Sequence, residues 1–177
     1  MYQHLFKVLQ NIIGKHKLFK YGFNFSPMYR RSVGRINEVS KDLHTVKLEI
    51  PLNYKNRNYV GTIFGGSLFA ATDPIYMIQL IQILGDDYVV WDKAATIKYK
   101  RPAKEKAYVV FQFSNEEIQD IKSKVNLNNE IDIVKQVNIT NKDGVVYAEL
   151  DKIIYVAYKR YYKKKLRDKK KSPDTKD

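Results

Sequence analysis

The chain has no cysteine and only three histidines, His4, His16 and His44, among its 177 residues. Without cysteine there is no disulfide, no thiolate zinc site and no cysteine nucleophile, which fits a reducing compartment. The histidines are far apart in no ligand pattern, so no metal is expected. Glycine and proline are also scarce, at 8 and 5. No Gly/Ser linker and no internal repeat divides the sequence, so one domain is expected, long enough to bury a real core. Long apolar runs are few. Residues 1–13 contain one, but Lys7 interrupts it and no small-residue cleavage site comes after it, so no signal peptide is expected. Residues 63–84 approach membrane-spanning length. They also hold Asp73-Pro74, two Gly and two Gln, which argues against lipid. A buried helix in a soluble, cytoplasmic protein is the expectation.

Acidic residues are in short supply: 19 Asp and Glu face 32 Lys and Arg, a net charge of +13. The excess is uneven. Residues 159–177 hold ten Lys/Arg against three Asp, so +7 of the +13 lies there. Such a segment reads as a solvated, disordered basic tail (159–177), with peripheral contact to an anionic membrane as its sharper reading. With so much of the charge outside the body, nucleic-acid binding is not expected.

Periodicity orders the rest. Apolar residues at 5, 8, 9, 12 and 13 have helical spacing. They predict an amphipathic N-terminal helix and linker over 1–27, loosened at Gly14 and Gly22. Residues 31–39 and 43–51 read as strands; Val46, Leu48 and Ile50 alternate with Thr45, Lys47 and Glu49. Ser40-Lys41-Asp42 is the turn between them. A helix apolar nearly all round spans Gly65 to Leu84, bent by Pro74 and closed by Gly85. Further strands are expected at 87–100, 106–114, 130–140 and 145–158. A short helix over 115–124 starts at Ser114 or Asn115, and Asn141-Lys-Asp-Gly144 turns the last hairpin. Six strands and one fully apolar helix predict an α+β architecture, an antiparallel sheet curled around that helix. One sheet cannot cover such a helix on every side, so a homodimer or homotetramer is expected.

The segment Asn58 to Asp73 carries the chemistry. An amide (Asn58) precedes a turn glycine (Gly61); a glycine pair (Gly65-Gly66) then opens the apolar helix, and one carboxylate, Asp73, lies inside it. Glycines at a helix start let a ligand reach backbone N–H groups with partial positive charge. An acid on an apolar helix is costly to bury without a reason. Together they suggest a place where negative charge is stabilised beside a carboxylate base. Each residue also has a plainer reading. Asp73 before Pro74 is a good N-cap for the second half of the helix. Asn58 suits a turn, Gly65-Gly66 suits close helix–sheet packing, and Lys98, Lys100 and Arg101 suit a solvated strand face. Trp91-Asp92-Lys93 reads as an interface salt bridge or as a site residue contributed across a dimer.

These residues resemble the hotdog-fold thioesterase superfamily over about 28–158. The chain is most similar to the phenylacetic-acid-type branch and its subgroup labelled domain of unknown function 4442 (DUF4442). That branch has an Asn, a Gly, then His-Gly-Gly, then an acid in the helix; Asn58, Gly61, Gly65, Gly66 and Asp73 match it at the same spacing. Arg57-Asn58-Tyr-Val-Gly-Thr62, Phe64-Gly-Gly-Ser-Leu68 and Thr72-Asp-Pro-Ile-Tyr-Met77 match the subgroup, and Tyr99-Lys-Arg-Pro-Ala103 resembles a strand end near coenzyme A. The resemblance implies a hotdog domain that hydrolyses a small-molecule acyl thioester. Coenzyme A would enter only as part of the substrate, with no other cofactor. Gly66 N–H would bind the oxyanion, Asp73 of the facing subunit would act as base or nucleophile, and Asn58 would position water or carbonyl. Gly65, Phe64, Thr62, Lys98, Lys100 and Arg101 would contact substrate, the basic residues meeting phosphates. One departure stands out. Phe64 replaces the branch's His and cannot donate to a carbonyl, which also disfavours the His-dependent hydratases and dehydratases. A non-catalytic acyl-CoA binder on the same scaffold is the alternative.

Overall fold

The computed structural model describes residues 13–171, with side chains through Lys169. The apolar positions 5, 8, 9 and 12 lie outside the described residues. Helix α1 (Lys15–Phe25) runs through Gly22 rather than loosening there. Packing holds it in place. Leu18 and Phe19 are buried, the Phe23 ring meets Phe19 at a tilt and Tyr29 edge-to-face, and the Asn24 amide bonds both the N–H and the C=O of Ile36 at 2.8 Å. A short helix, α2 (Pro27–Arg30), completes the N-terminal part.

Strand β1 (Arg35–Val39) begins four residues later than expected. The Ser32 hydroxyl donates to Tyr29 O and accepts from Gly34 N, which holds residues 29–34 in a turn. Strand β2 (Thr45–Ile50) has Val46, Leu48 and Ile50 turned inward, as their alternation requires. The apolar helix comes next, in two pieces, α3 (Gly65–Thr72) and α4 (Ile75–Leu84), separated at Asp73-Pro74 where the proline has no N–H. Then come β3 (Tyr88–Tyr99), β4 (Ala107–Gln112), helix α5 (Asn115–Asn128), β5 (Glu130–Thr140) and β6 (Val146–Tyr158). Helix α5 starts at the Ser114 cap, whose hydroxyl accepts from Glu117 N, and extends past the expected end to Asn129, which closes it in the left-handed region.

The six strands pair antiparallel in the order β1-β2-β4-β5-β6-β3. The inward side chains of this sheet and the facing side of α3–α4 form one core. Leu68, Ala71, Ile75, Tyr76 and Leu80 meet Leu48, Val109, Phe111, Leu150 and Ile154. This is the α+β hotdog arrangement that the sequence predicts. The stretch Gly65–Leu84 is long and apolar enough to cross a membrane, and half of it is buried against the sheet. The other half is covered incompletely: Phe69, Met77, Ile78 and Ile81 remain partly exposed, and Ala70 is exposed. Strand β3 lies at the edge of the sheet, and residues 93–99 are mostly exposed.

The expectation of a disordered tail is corrected over most of its length. Residues Lys159–Lys171 form helix α6, continuing from β6 without a break. The Lys165 ammonium lies 2.6 Å from Glu130, the Lys159 N–H donates to Asp87 O at 2.8 Å, and the Tyr162 ring meets Tyr155. These anchors turn a charge-rich segment into helix. The last six residues lie outside the described ones.

Candidate active site

The loop before α3 is built around Asn58. Its N–H donates to Thr62 O, its side-chain oxygen accepts from Val60 N and Thr62 N, and its amide nitrogen donates to Thr62 Oγ at 2.9 Å. Gly61 closes the turn at φ 79°, a conformation that strains any side chain. The turn reading of Asn58 therefore accounts for its contacts, and Thr62 is buried as its partner. Asn56, also buried, bonds Pro51 O and Asn53 N through its side chain. Its carbonyl accepts Phe64 N at 2.7 Å and so fixes the entry to α3.

The glycine pair has a packing role on each side. A Cβ on Gly65 would meet the Tyr99 ring at 2.8 Å, and a Cβ on Gly66 would meet the Phe64 ring at 2.3 Å. Neither position could hold a side chain without moving an aromatic ring. The Gly65 and Gly66 N–H groups have no acceptor among the described residues, and α3 has no side-chain cap. These are the orphan donors that every helix start carries. Phe64 and Tyr99, the rings beside them, are 57% and 55% exposed.

The basic strand end comes to the same place. Ala103 O accepts Ile63 N at 2.8 Å, and Lys100 N and Arg101 N both donate to Tyr147 O. The segment after Tyr99 is thereby stitched to the residue before Phe64. Lys98, Lys100 and Arg101 are exposed; Lys100 pairs with Glu149 at 2.9 Å. The structure thus gathers Phe64, Gly65, Gly66, Tyr99 and the Lys100-Arg101 backbone around one helix N-terminus.

Asp73 is not part of that group within one chain. It lies seven positions beyond Gly66, about 10 Å along the axis. It also does not cap α4. Asp73 keeps helical angles (φ −52°, ψ −52°), and no side-chain oxygen caps the second helix. Its carboxylate turns to the sheet instead, where Oδ1 lies 2.7 Å from the ammonium of Lys152. The same ammonium donates to the Asp73 carbonyl at 2.9 Å and lies 2.8 Å from Asp92 Oδ2. The helix break leaves that carbonyl without a backbone N–H, and Lys152 replaces it.

Lys152 was not singled out from the sequence, yet strand parity marks it. Ala148, Leu150, Ile154 and Val156 point inward from β6, and residue 152 shares their side. Asp92 shares that side by alternation with Val90, opposite Ile154; a bulge follows at Lys93, whose ammonium lies 2.6 Å from Asp132. Asp92 and Lys93 therefore serve different partners and do not pair with each other. Burial pushes the Asp92 carboxyl above its usual value and the nearby Asp73 adds to this, outweighing the opposing pull of Lys152. Asp92 Oδ1 is buried and has no partner among the described residues.

No group of three or more His, Cys, Asp or Glu among the described residues is arranged to hold a metal. A depression of about 470 Å3 opens where β4 and β5 part, lined by Tyr76, Val110, Lys135 and Gln136. Asn58, the glycine pair and Asp73 do not line it, and its one ammonium, Lys135, already bonds Glu117 and Gln112 O.

A sheet wrapped on one broken helix, with this loop at the helix entry, defines a hotdog-fold protein. The chain belongs to the family described as a domain of unknown function, DUF4442, which matches residues 15–156. Solved structures share the fold. A Pseudomonas aeruginosa protein of unknown function, described as a "probable thioesterase", is 21% identical, with a TM-score of 0.68 over 81% of this chain and 93% of that one. A Chlorobaculum tepidum protein of unknown function is 17% identical, with a TM-score of 0.65 over 80% and 93%. A Haemophilus influenzae thioesterase is 12% identical, with a TM-score of 0.58 over 80% and 90%. No curated protein matches the chain.

The Asp92 environment gives a pH prediction. An acid whose folded value is raised takes up a proton on folding, so its contribution to stability falls as pH rises from the ordinary value of 3.8 to the raised one. Asp92→Asn should remove that part of the slope. Urea midpoints measured in steps above pH 3.8 should fall less, or rise more, with pH in the variant than in the wild type; an unchanged slope would contradict the assignment.

Proposed function

We propose that the protein hydrolyses acyl thioesters, with acyl-CoA esters as the substrate class, at sites shared between two copies of the chain. The observation that carries this reading is the convergence of unpartnered Gly65 and Gly66 N–H groups with the basic strand end. A half-exposed carboxylate, Asp73, lies too far along the same helix to serve that spot in its own chain. A second copy packed on the uncovered side of α3–α4 and on the exposed edge β3 supplies it. The thioesterase descriptions of the structural neighbours agree with this chemistry.

In this reading the thioester carbonyl sits at the start of α3. The Gly66 N–H, with Gly65 beside it, donates to the oxyanion as it forms; one such donor is typically worth about 3 kcal/mol. Asp73 of the facing copy takes a proton from water while the water oxygen adds to the carbonyl carbon. When the tetrahedral intermediate collapses, the C–S bond breaks and the thiolate leaves to be protonated, giving a carboxylic acid and a thiol. Attack by Asp73 itself, through an anhydride, is the nucleophilic variant. Asn58 and Thr62 act by holding the loop. Lys98, Lys100 and Arg101 face solvent where coenzyme A phosphates would approach. Phe64 offers an apolar wall in place of a hydrogen-bond donor. Assembly as a homodimer or homotetramer in the cytoplasm goes with this reading. Helix α6 offers a basic surface for peripheral membrane contact.

A second reading has its own observation. The Phe64 ring lies against Gly66, at the point where a carbonyl would approach. A protein that binds acyl-CoA without cleaving it would tolerate this.

A panel of acyl-CoA esters separates the two. Turnover of at least one ester is expected; saturable binding with no turnover of any would favour the binder. Phe64→His restores the missing donor and should raise kcat on that ester. A folded variant with no gain would remove support for a carbonyl beside position 64. Light scattering at micromolar concentration should give a dimer or larger, and a monomer would contradict a shared site.

A further inference from the structure

Lys152 is the one charged side chain in the buried class among the described residues, at 1% exposure. Burying an ammonium is costly unless each of its N–H groups is matched. Here three acceptors meet three donors: Asp73 Oδ1 at 2.7 Å, Asp73 O at 2.9 Å and Asp92 Oδ2 at 2.8 Å. Two of the three belong to one residue. Lys152 therefore grips Asp73 at both its backbone and its side chain, which fixes the carboxylate's direction at the helix break.

Stability alone does not account for this arrangement. The neighbours of Lys152 on the inward side of β6 are Leu150 and Ile154, both fully buried. Replacing a buried ion network by well-packed apolar residues is often neutral or stabilising. What an apolar residue cannot do is hold Asp73 Oδ1 while leaving Oδ2 free. Asp73 Oδ2 has no partner among the described residues, and the side chain is 44% exposed. Asp92 contributes in a different way. With two carboxylates around one ammonium, the cluster has one more acid than it has cations. Asp92 also ties the edge strand β3 to β6 at the height of the helix break.

We propose that Lys152 is the positioning residue of this site, held by Asp92, and that it aims the free oxygen of Asp73 at the water or carbonyl it must reach. This assignment rests on the hydrolytic reading above. A positioning residue that acts through Asp73 should change turnover and leave substrate binding alone. Its effect should vanish once Asp73 is removed.

The test is a double-mutant cycle in steady-state kinetics on the best acyl-CoA ester. Wild type, Lys152→Met, Asp73→Asn and the double variant are compared, with folding checked by circular dichroism and melting. Lys152→Met should lower kcat by about 10-fold or more with KM within about 2-fold, and the double variant should lose no more than Asp73→Asn alone. If Lys152→Met does not fold, Lys152→Gln combined with Asp92→Asn removes the cation with one carboxylate and is read in the same way. Unchanged kcat in a folded Lys152 variant, or losses that multiply in the double variant, would overturn the proposal while leaving hydrolysis by Asp73 standing. Wild-type protein with no turnover on any ester would overturn the hydrolytic reading, and this proposal with it.

Discussion

The break of the central helix at Asp73-Pro74 organises the centre of the molecule. The helix that fills the sheet divides there, the Asp73 carbonyl loses its helical donor, and a charged side chain inside the sheet takes its place. Lys152 can reach it only because residue 152 faces inward from β6. Asp92 can share the ammonium because it faces inward from β3, opposite Ile154. The interruption in the helix is met by a buried cation, and that cation by two carboxylates. Lys152 is the one fully buried charge among the described residues, so this cluster is where charged chemistry meets the core.

The two ends of α3 divide the work. Its start is lined by aromatic rings and by unpartnered N–H groups; its end carries a fixed carboxylate. A helix of eight residues keeps them apart, and the proposal of a site shared between copies rests on that separation. The same geometry explains the glycine pair. Tyr99 and Phe64 occupy the space that side chains at 65 and 66 would need, so the backbone is bare whether or not a ligand comes near it. Packing and binding ask for the same residues here, and sequence alone could not tell them apart.

Much of the fold was legible because its signals were local. Alternation gave β2, the Asn141–Gly144 turn gave the last hairpin, and an apolar run with a proline gave a broken central helix. Non-local contacts supplied what was missed. Nothing in 1–27 shows that Asn24 will bond β1 and carry a helix through Gly22. Nothing in a lysine-rich terminus shows that Glu130 and Tyr155 will anchor it as helix. At the site, Asn58, Gly65, Gly66 and Asp73 could be named from spacing. Lys152 could have been found by strand parity, as a charge at an inward position between Leu150 and Ile154. Its partnership with Asp73, 79 residues away, could not. The capping role available to Asp73 in the sequence was overridden by that partnership.

The central claim is that Asp73 is the proton acceptor of a thioester hydrolase, and kcat of Asp73→Asn on the preferred acyl-CoA ester tests it most directly. Asparagine keeps the shape and an oxygen for Lys152 while removing the base. The account predicts a folded variant that still binds the ester, with kcat lower by about 100-fold or more, as loss of a general base usually costs. A folded Asp73→Asn variant that turns over the ester at the wild-type rate would contradict it.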